Sequence, residues 1–100
     1  MPLYLFKRLS FSRSLKSLSA EQKGTVADIL ECLIVYYAND CSLSKAKEIS
    51  PGFFYKQLRK PYYEAGIESN IRIVLRREKQ KCIAILAGNH NQIRQFLSKI

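Results

Sequence analysis

One hundred residues allow one domain (1–100) with a modest core, enough for a small sheet and two or three helices but too little for a second lobe. Seventeen lysines and arginines against eight acids leave a formal charge of +9, and no apolar run is long enough to span a membrane. The charge is uneven: residues 1–18 carry four basic and no acidic side chains, residues 19–52 three against five, and residues 53–100 ten against three. A cationic face built by the C-terminal half follows, with nucleic acid the first expected class of partner and an acidic protein the second.

Leu3 to Leu9, LYLFKRL, has the aromatic and apolar density of a first strand, and the serines that follow mark its end. The stretch MPLYLFKR lacks the basic start and long apolar middle of a cleavable signal, so a cytoplasmic location is expected. From Ser12 the period changes. Phe11, Leu15 and Leu18 recur at i, i+4 and i+7, the spacing of one face of a short helix. Ser19 followed three residues later by Gln22 is a capping box that starts a long helix at Ala20. Val26, Ile29, Leu30, Leu33 and Tyr37 form its apolar stripe, and Asn39 and Asp40 end it. Leu43 to Gly52 reads as a connection with room for one helical turn, closed by Ser50, Pro51 and Gly52.

Phe53 to Arg59 is the next expected strand, and Lys60 to Ser69, with Pro61 and Gly66, reads as a long polar loop anchored by Tyr62 and Tyr63. From Ile71 to Arg76 the residues alternate, placing Ile71, Ile73 and Leu75 on one face and Arg72, Val74 and Arg76 on the other. Arg77 to Lys81 turns the chain, with its charges keeping the tip soluble. Cys82 to Ala87 is apolar on both faces, which suits a central strand. Gly88 ends that strand, and Asn89 or Asn91 caps a last helix with Ile93, Phe96, Leu97 and Ile100 on one side. The order is β-α-α-β-β-β-α: an α+β fold with a small antiparallel sheet of about four strands, mixed at one edge, two N-terminal helices packed on it and a C-terminal helix.

Cys32, Cys41 and Cys82 are an odd, widely spaced set, which argues for reduced thiols and for small buried apolar roles. A zinc site built from them and His90 lacks any close Cys-x-x-Cys pair, so neither a metal nor another cofactor is expected.

In this order, and in a basic chain of this length, the segments FYKQLR, NIRIVL and ILAGNH make the sequence resemble the RelE/ParE superfamily of toxins from bacterial type II toxin–antitoxin pairs. The resemblance implies that Lys56 or Arg59, Arg72 and His90 are the catalytic residues, the choice between the first two depending on the register of the strand. His90 stands where RelE has an arginine, and Phe96 near where RelE has a catalytic tyrosine. The implied activity is an mRNA endoribonuclease acting on the ribosome and silenced by a cognate antitoxin, with no membrane and no small-molecule cofactor involved. Two other readings stay open: a ParE-like protein that poisons DNA gyrase by binding, and a non-toxic nucleic-acid-binding module of the same fold.

The chemistry fits those residues independently. Metal-free RNA cleavage removes a proton from a 2′-hydroxyl, stabilises charge on phosphorus and protonates the departing 5′-oxygen. His90 offers a base, Arg72 a planar fork for phosphate oxygens, and Lys56 or Arg59 a second cation. Lys60, Arg76 and Arg94 are the expected further RNA contacts. The plainer alternatives are that His90 is a turn residue, that Arg72 and Arg76 are the solvated face of a sheet, and that Phe96 belongs to the core.

Overall fold

The computed structural model describes residues 4–68 and 70–100. Its elements are β1 (Tyr4–Lys7), α1 (Leu9–Leu15), α2 (Ala20–Ala38), α3 (Leu43–Lys47), β2 (Phe54–Gln57), β3 (Tyr62–Gly66), β4 (Arg72–Glu78), β5 (Lys81–Gly88) and α4 (His90–Ser98). They form an α+β fold on one sheet ordered β1-β5-β4-β3-β2, in which β1 runs parallel to β5 and every other pair is antiparallel.

Five strands replace the expected four, because most of the segment expected to be a loop is β3. Tyr62, Glu64 and Gly66 alternate with Tyr63 and Ala65 between β2 and β4, so its backbone groups are used on both sides. Leu3 and Ser69, the outer ends of two expected segments, lie outside the described residues. The hairpin is also tighter than expected: Arg77 and Glu78 belong to β4, and the turn is Lys79 and Gln80, with Lys79 at φ 51°.

Helix α1 starts at Leu9, before the serines expected to break the chain. Those serines tie it to the sheet. β1 pairs with Lys81 to Ala84 of β5, and among the described residues no strand covers the rest of that edge. Ser10 Oγ donates to the Ile85 carbonyl at 2.7 Å and Ser14 Oγ accepts the Ala87 N–H at 3.0 Å, so one face of α1 satisfies the uncovered edge.

The capping box of α2 is present: Gln22 N–H donates to Ser19 Oγ at 3.1 Å, and Ser19 N–H donates to Gln22 Oε1 at 2.9 Å. Its stripe packs Val26, Ile29, Leu33 and Tyr37 against Ile73, Leu75, Cys82 and Ala84 on one face of the sheet, with Phe11 from α1 fully buried among them. On the opposite face Val74, Ile85 and Ile93 form a smaller cluster with Phe96 and Leu97 of α4 beside it. The register shift between Val74 and Leu75 lets Val74 face Leu86 and Leu75 face Ala84, which leaves Ile85 as the extra residue of a bulge in β5.

Candidate functional site

Strand register places the functional side chains in rows. Phe54, Gly66, Arg72 and Gly88 are successive partners across β2, β3, β4 and β5, and Lys56, Glu64, Val74 and Leu86 form the next row on the same face. Glu64 is the surprise: it is only 3% exposed, yet it is a carboxylate. Arg72 Nη1 donates to its Oε1 at 3.2 Å, and Lys56 Nζ lies 3.4 Å from its Oε2. A buried carboxylate is tolerated only when paired, and these two cations pair it.

Packing fixes Arg72 further. Its guanidinium lies over the Phe54 ring, 4.8 Å from the centroid. That ring needs Gly66: a Cβ there would stand 2.8 Å from Phe54 ring carbons. Arg72 Nε is buried with no hydrogen-bond partner among the described residues, so one donor of the fork is unsatisfied there. The guanidinium is therefore held at a set position while keeping donor capacity beyond its single bond to Glu64.

His90 is the first residue of α4 and is exposed. Asn89 caps the helix: Gln92 N–H donates to Asn89 Oδ1 at 2.9 Å, and Asn89 N–H donates to Gln92 Oε1 at 2.7 Å. Gly88 leaves room for the capping side chain, since a Cβ there would meet Gln92 Oε1 at 2.5 Å. The result is a recess of about 270 Å³ in which Arg72 and His90 meet, lined also by Gln22, Asn70, Asn89 and Asn91. A larger concavity, about 680 Å³, lies along Glu78, Lys79, Gln80 and Lys81, but one hairpin tip brings no groups from different elements together.

The other expected residues are dispersed. Arg59 lies beyond the end of β2, where its Nη1 donates to the carbonyl of Ile100 at 3.1 Å, so Lys56 is the cation beside Arg72. Arg76 is one row further along than Val74, over the Tyr62 ring at 5.9 Å and 2.9 Å from Glu78 Oε1 through Nε, in an ion pair without hydrogen-bond geometry. Lys60 is exposed in the turn before β3, at a cis peptide bond to Pro61. Arg94 is exposed on α4 one turn after His90, on the same side of the helix. Tyr62 packs edge-on against Phe96, with ring centroids 5.3 Å apart, and Tyr63 stacks on Tyr55 in the main core, so neither is a loop anchor. Glu64, Phe54, Gln22 and Asn70 were not expected at the site, although Gln22 was expected to cap α2. Alternation in YYEAG was the one signal that pointed to Glu64.

Among the described residues no group of three histidine, cysteine or acidic side chains is placed to hold a metal ion, and no helix is long and apolar enough to cross a membrane.

A sheet of this order, with α1 and α2 on one face and α4 on the other, is the fold of the RelE-like toxins. The chain resembles a chain of the RelB–RelE antitoxin–toxin complex from Methanococcus jannaschii at a TM-score of 0.60 and 14% identity, covering 91% of this chain and 96% of that one. It resembles a copper-bound mutant toxin from Helicobacter pylori at 0.65 and 21%, covering 93% and 99%. A chain of the E. coli DinJ–YafQ toxin–antitoxin complex gives 0.65 and 12%, covering 93% and 98%. At these identities the likeness is one of fold. No protein-family profile and no curated relative matches the sequence.

Proposed function

We propose that the chain is the toxin of a type II toxin–antitoxin pair: a cytoplasmic RelE-like endoribonuclease that cuts messenger RNA, engaged on the ribosome, and is neutralised by a cognate antitoxin. The observation that carries this reading is the meeting of Arg72 and His90, from β4 and α4, in one recess with Lys56 joined to Arg72 through Glu64. Similar folds in complexes with antitoxins, from M. jannaschii and E. coli, support the partner.

In this reading His90 takes the proton of a 2′-hydroxyl, whose oxygen bonds to phosphorus while the bond to the 5′-oxygen breaks. Arg72 donates to the non-bridging oxygens, and Lys56 adds charge beside them. The departing 5′-oxygen takes its proton from solvent or from the Lys56 ammonium. Products therefore end in a 2′,3′-cyclic phosphate and a 5′-hydroxyl. Glu64 is a positioning residue, holding Arg72 and Lys56 side by side.

The test is expression of the wild type, His90→Ala and Arg72→Ala in cells, with cut sites mapped on transcripts and antitoxin binding measured. Loss of an acid–base group costs about 10²- to 10⁴-fold, and loss of one charge-stabilising donor about 10²- to 10³-fold. Both variants should relieve growth arrest and still bind antitoxin, while Lys79→Ala at the hairpin tip stays toxic. A His90→Ala protein that remains fully toxic and arrests replication instead of translation would replace this reading with gyrase poisoning.

A further inference from the structure

The recess at Arg72 and His90 does not end there. Gln22 and Asn70 line it and also line a second recess of about 410 Å³, bounded by Ser19, Glu21, Thr25 and Ile71. The two make one groove, from the first turn of α4 past the start of β4 to the first turns of α2. Each part is comparable with the lower end of small-ligand sites, roughly 300 Å³ upwards.

The chemistry of the groove differs from that of the sheet face that carries Lys56 and Arg76. Its charged groups are Arg72 and the Glu21 carboxylate, and the remaining polar side chains are the His90 imidazole, amides and hydroxyls. Helix capping fixes two of those amides. The Ser19 N–H must meet the oxygen of Gln22, and the Gln92 N–H must meet the oxygen of Asn89. Both carbonyl oxygens are thus occupied, and Gln22 Nε2 and Asn89 Nδ2 remain as donors. Asn70 and Asn91 make no side-chain hydrogen bond among the described residues. The groove is biased towards donation, while Glu21 at its outer end disfavours the track of a phosphate backbone.

We infer that this groove reads the nucleobase adjoining the phosphate held by Arg72, with Gln22, Asn70 and Asn89 donating to a base edge of adjacent acceptors. Guanine matches best, because its N7 and O6 are neighbouring acceptors on one edge. Single-stranded RNA presents such edges, since its bases are unstacked and free to be splayed into a protein groove. The inference rests on the nuclease reading above and adds specificity to it.

The experiment maps cut sites on one long transcript, in a translating extract and on the free RNA, for the wild type, Gln22→Glu and Asn70→Asp. Gln22→Glu keeps the oxygen that accepts from Ser19, so the capping box and the start of α2 survive. It replaces the free donor with an acceptor, which suits the amino groups of cytosine and adenine. Wild-type cuts should be enriched beside guanine. In each variant the ratio of guanine to cytosine or adenine at the cuts should fall roughly tenfold or more. Added negative charge alone would slow every site together and leave the ratio unchanged. Unchanged base ratios in both variants, or wild-type cuts with no guanine enrichment, overturn the inference while leaving the nuclease reading in place. A wild type that cuts no RNA in either setting sinks the nuclease reading, and this inference with it.

Discussion

Tyr37 and Cys82 share a hydrogen bond at 2.7 Å in the core under the sheet, and Tyr37 also bonds Tyr55 at 2.9 Å. Burial raises the Cys82 thiol from its ordinary 9.0 to about 11, against the lowering effect of its bond to Tyr37. Burial likewise raises Tyr36 from 10.0 to about 12, and pushes Tyr37 and Tyr55 up as well. These acids keep their protons in the folded chain at pH values where the unfolded chain has lost them. Between the two pKa values the unfolded state binds fewer protons, so stability falls as pH rises. The contribution is complete below about pH 8, a unit under the ordinary thiol value, and is lost progressively above it. Denaturant midpoints measured at about pH 7, 8 and 10 should be level to about 8 and then decline. A midpoint that stays constant to pH 10 would contradict this account. The small buried apolar role read from sequence holds for Cys32 and Cys82, both fully buried, whereas Cys41 is half-buried at φ 59° just past α2.

Elements with a strong period were legible and those whose role depends on a neighbour were not. The capping box at Ser19 is a local signal, complete within four residues, and it is formed; of the two expected caps of the last helix, Asn89 is the one used, in a box with Gln92. Strand β3 is short, follows Pro61, ends on Gly66 and carries a glutamate, so its local pattern argued for a loop. Pairing on both sides overrides that pattern, as tertiary context does for weak strand propensity. Missing β3 also hid Glu64, because a carboxylate can be placed beside Lys56 and Arg72 only when the strand between them is known. The choice between Lys56 and Arg59 was undecided for the same reason, and the end of β2 at Gln57 decides the geometry. Gly24, in the interior of α2, allows a direct measurement at this scale. A Cβ there meets nothing within 4 Å, and its φ is not positive. Gly24→Ala should therefore stabilise the protein by about 0.5 to 1 kcal/mol, by removing backbone freedom from the unfolded chain. Chemical denaturation reads it, and a loss of stability would mean that α2 is not limited by its own helix propensity there.

At the scale of the molecule, the net charge of +9 overstates what the sheet face presents. Glu64 takes up part of the charge of both Lys56 and Arg72, and Glu78 pairs with Arg76, so the cations stand in fixed positions beside acids. An RNA phosphate reaching Arg72 competes with Glu64, while one reaching Arg94 on the outside of α4 meets an arginine with no ion pair among the described residues. Binding of single-stranded RNA should still weaken steeply with salt, because each phosphate contacted releases condensed counterions, with a log–log slope of about −0.7 per contact. Affinity titrations of an uncleavable 2′-deoxy analogue across low to physiological salt measure that slope. Arg94→Ala and Arg76→Ala should each reduce its magnitude by about 0.7. The Arg76 change carries the smaller loss of affinity, since Arg76 already shares its charge with Glu78 before RNA arrives. A wild-type affinity that does not change with salt would mean that the cationic face is not the nucleic-acid surface, and its charge would then be left to the acidic protein partner that the composition ranks second.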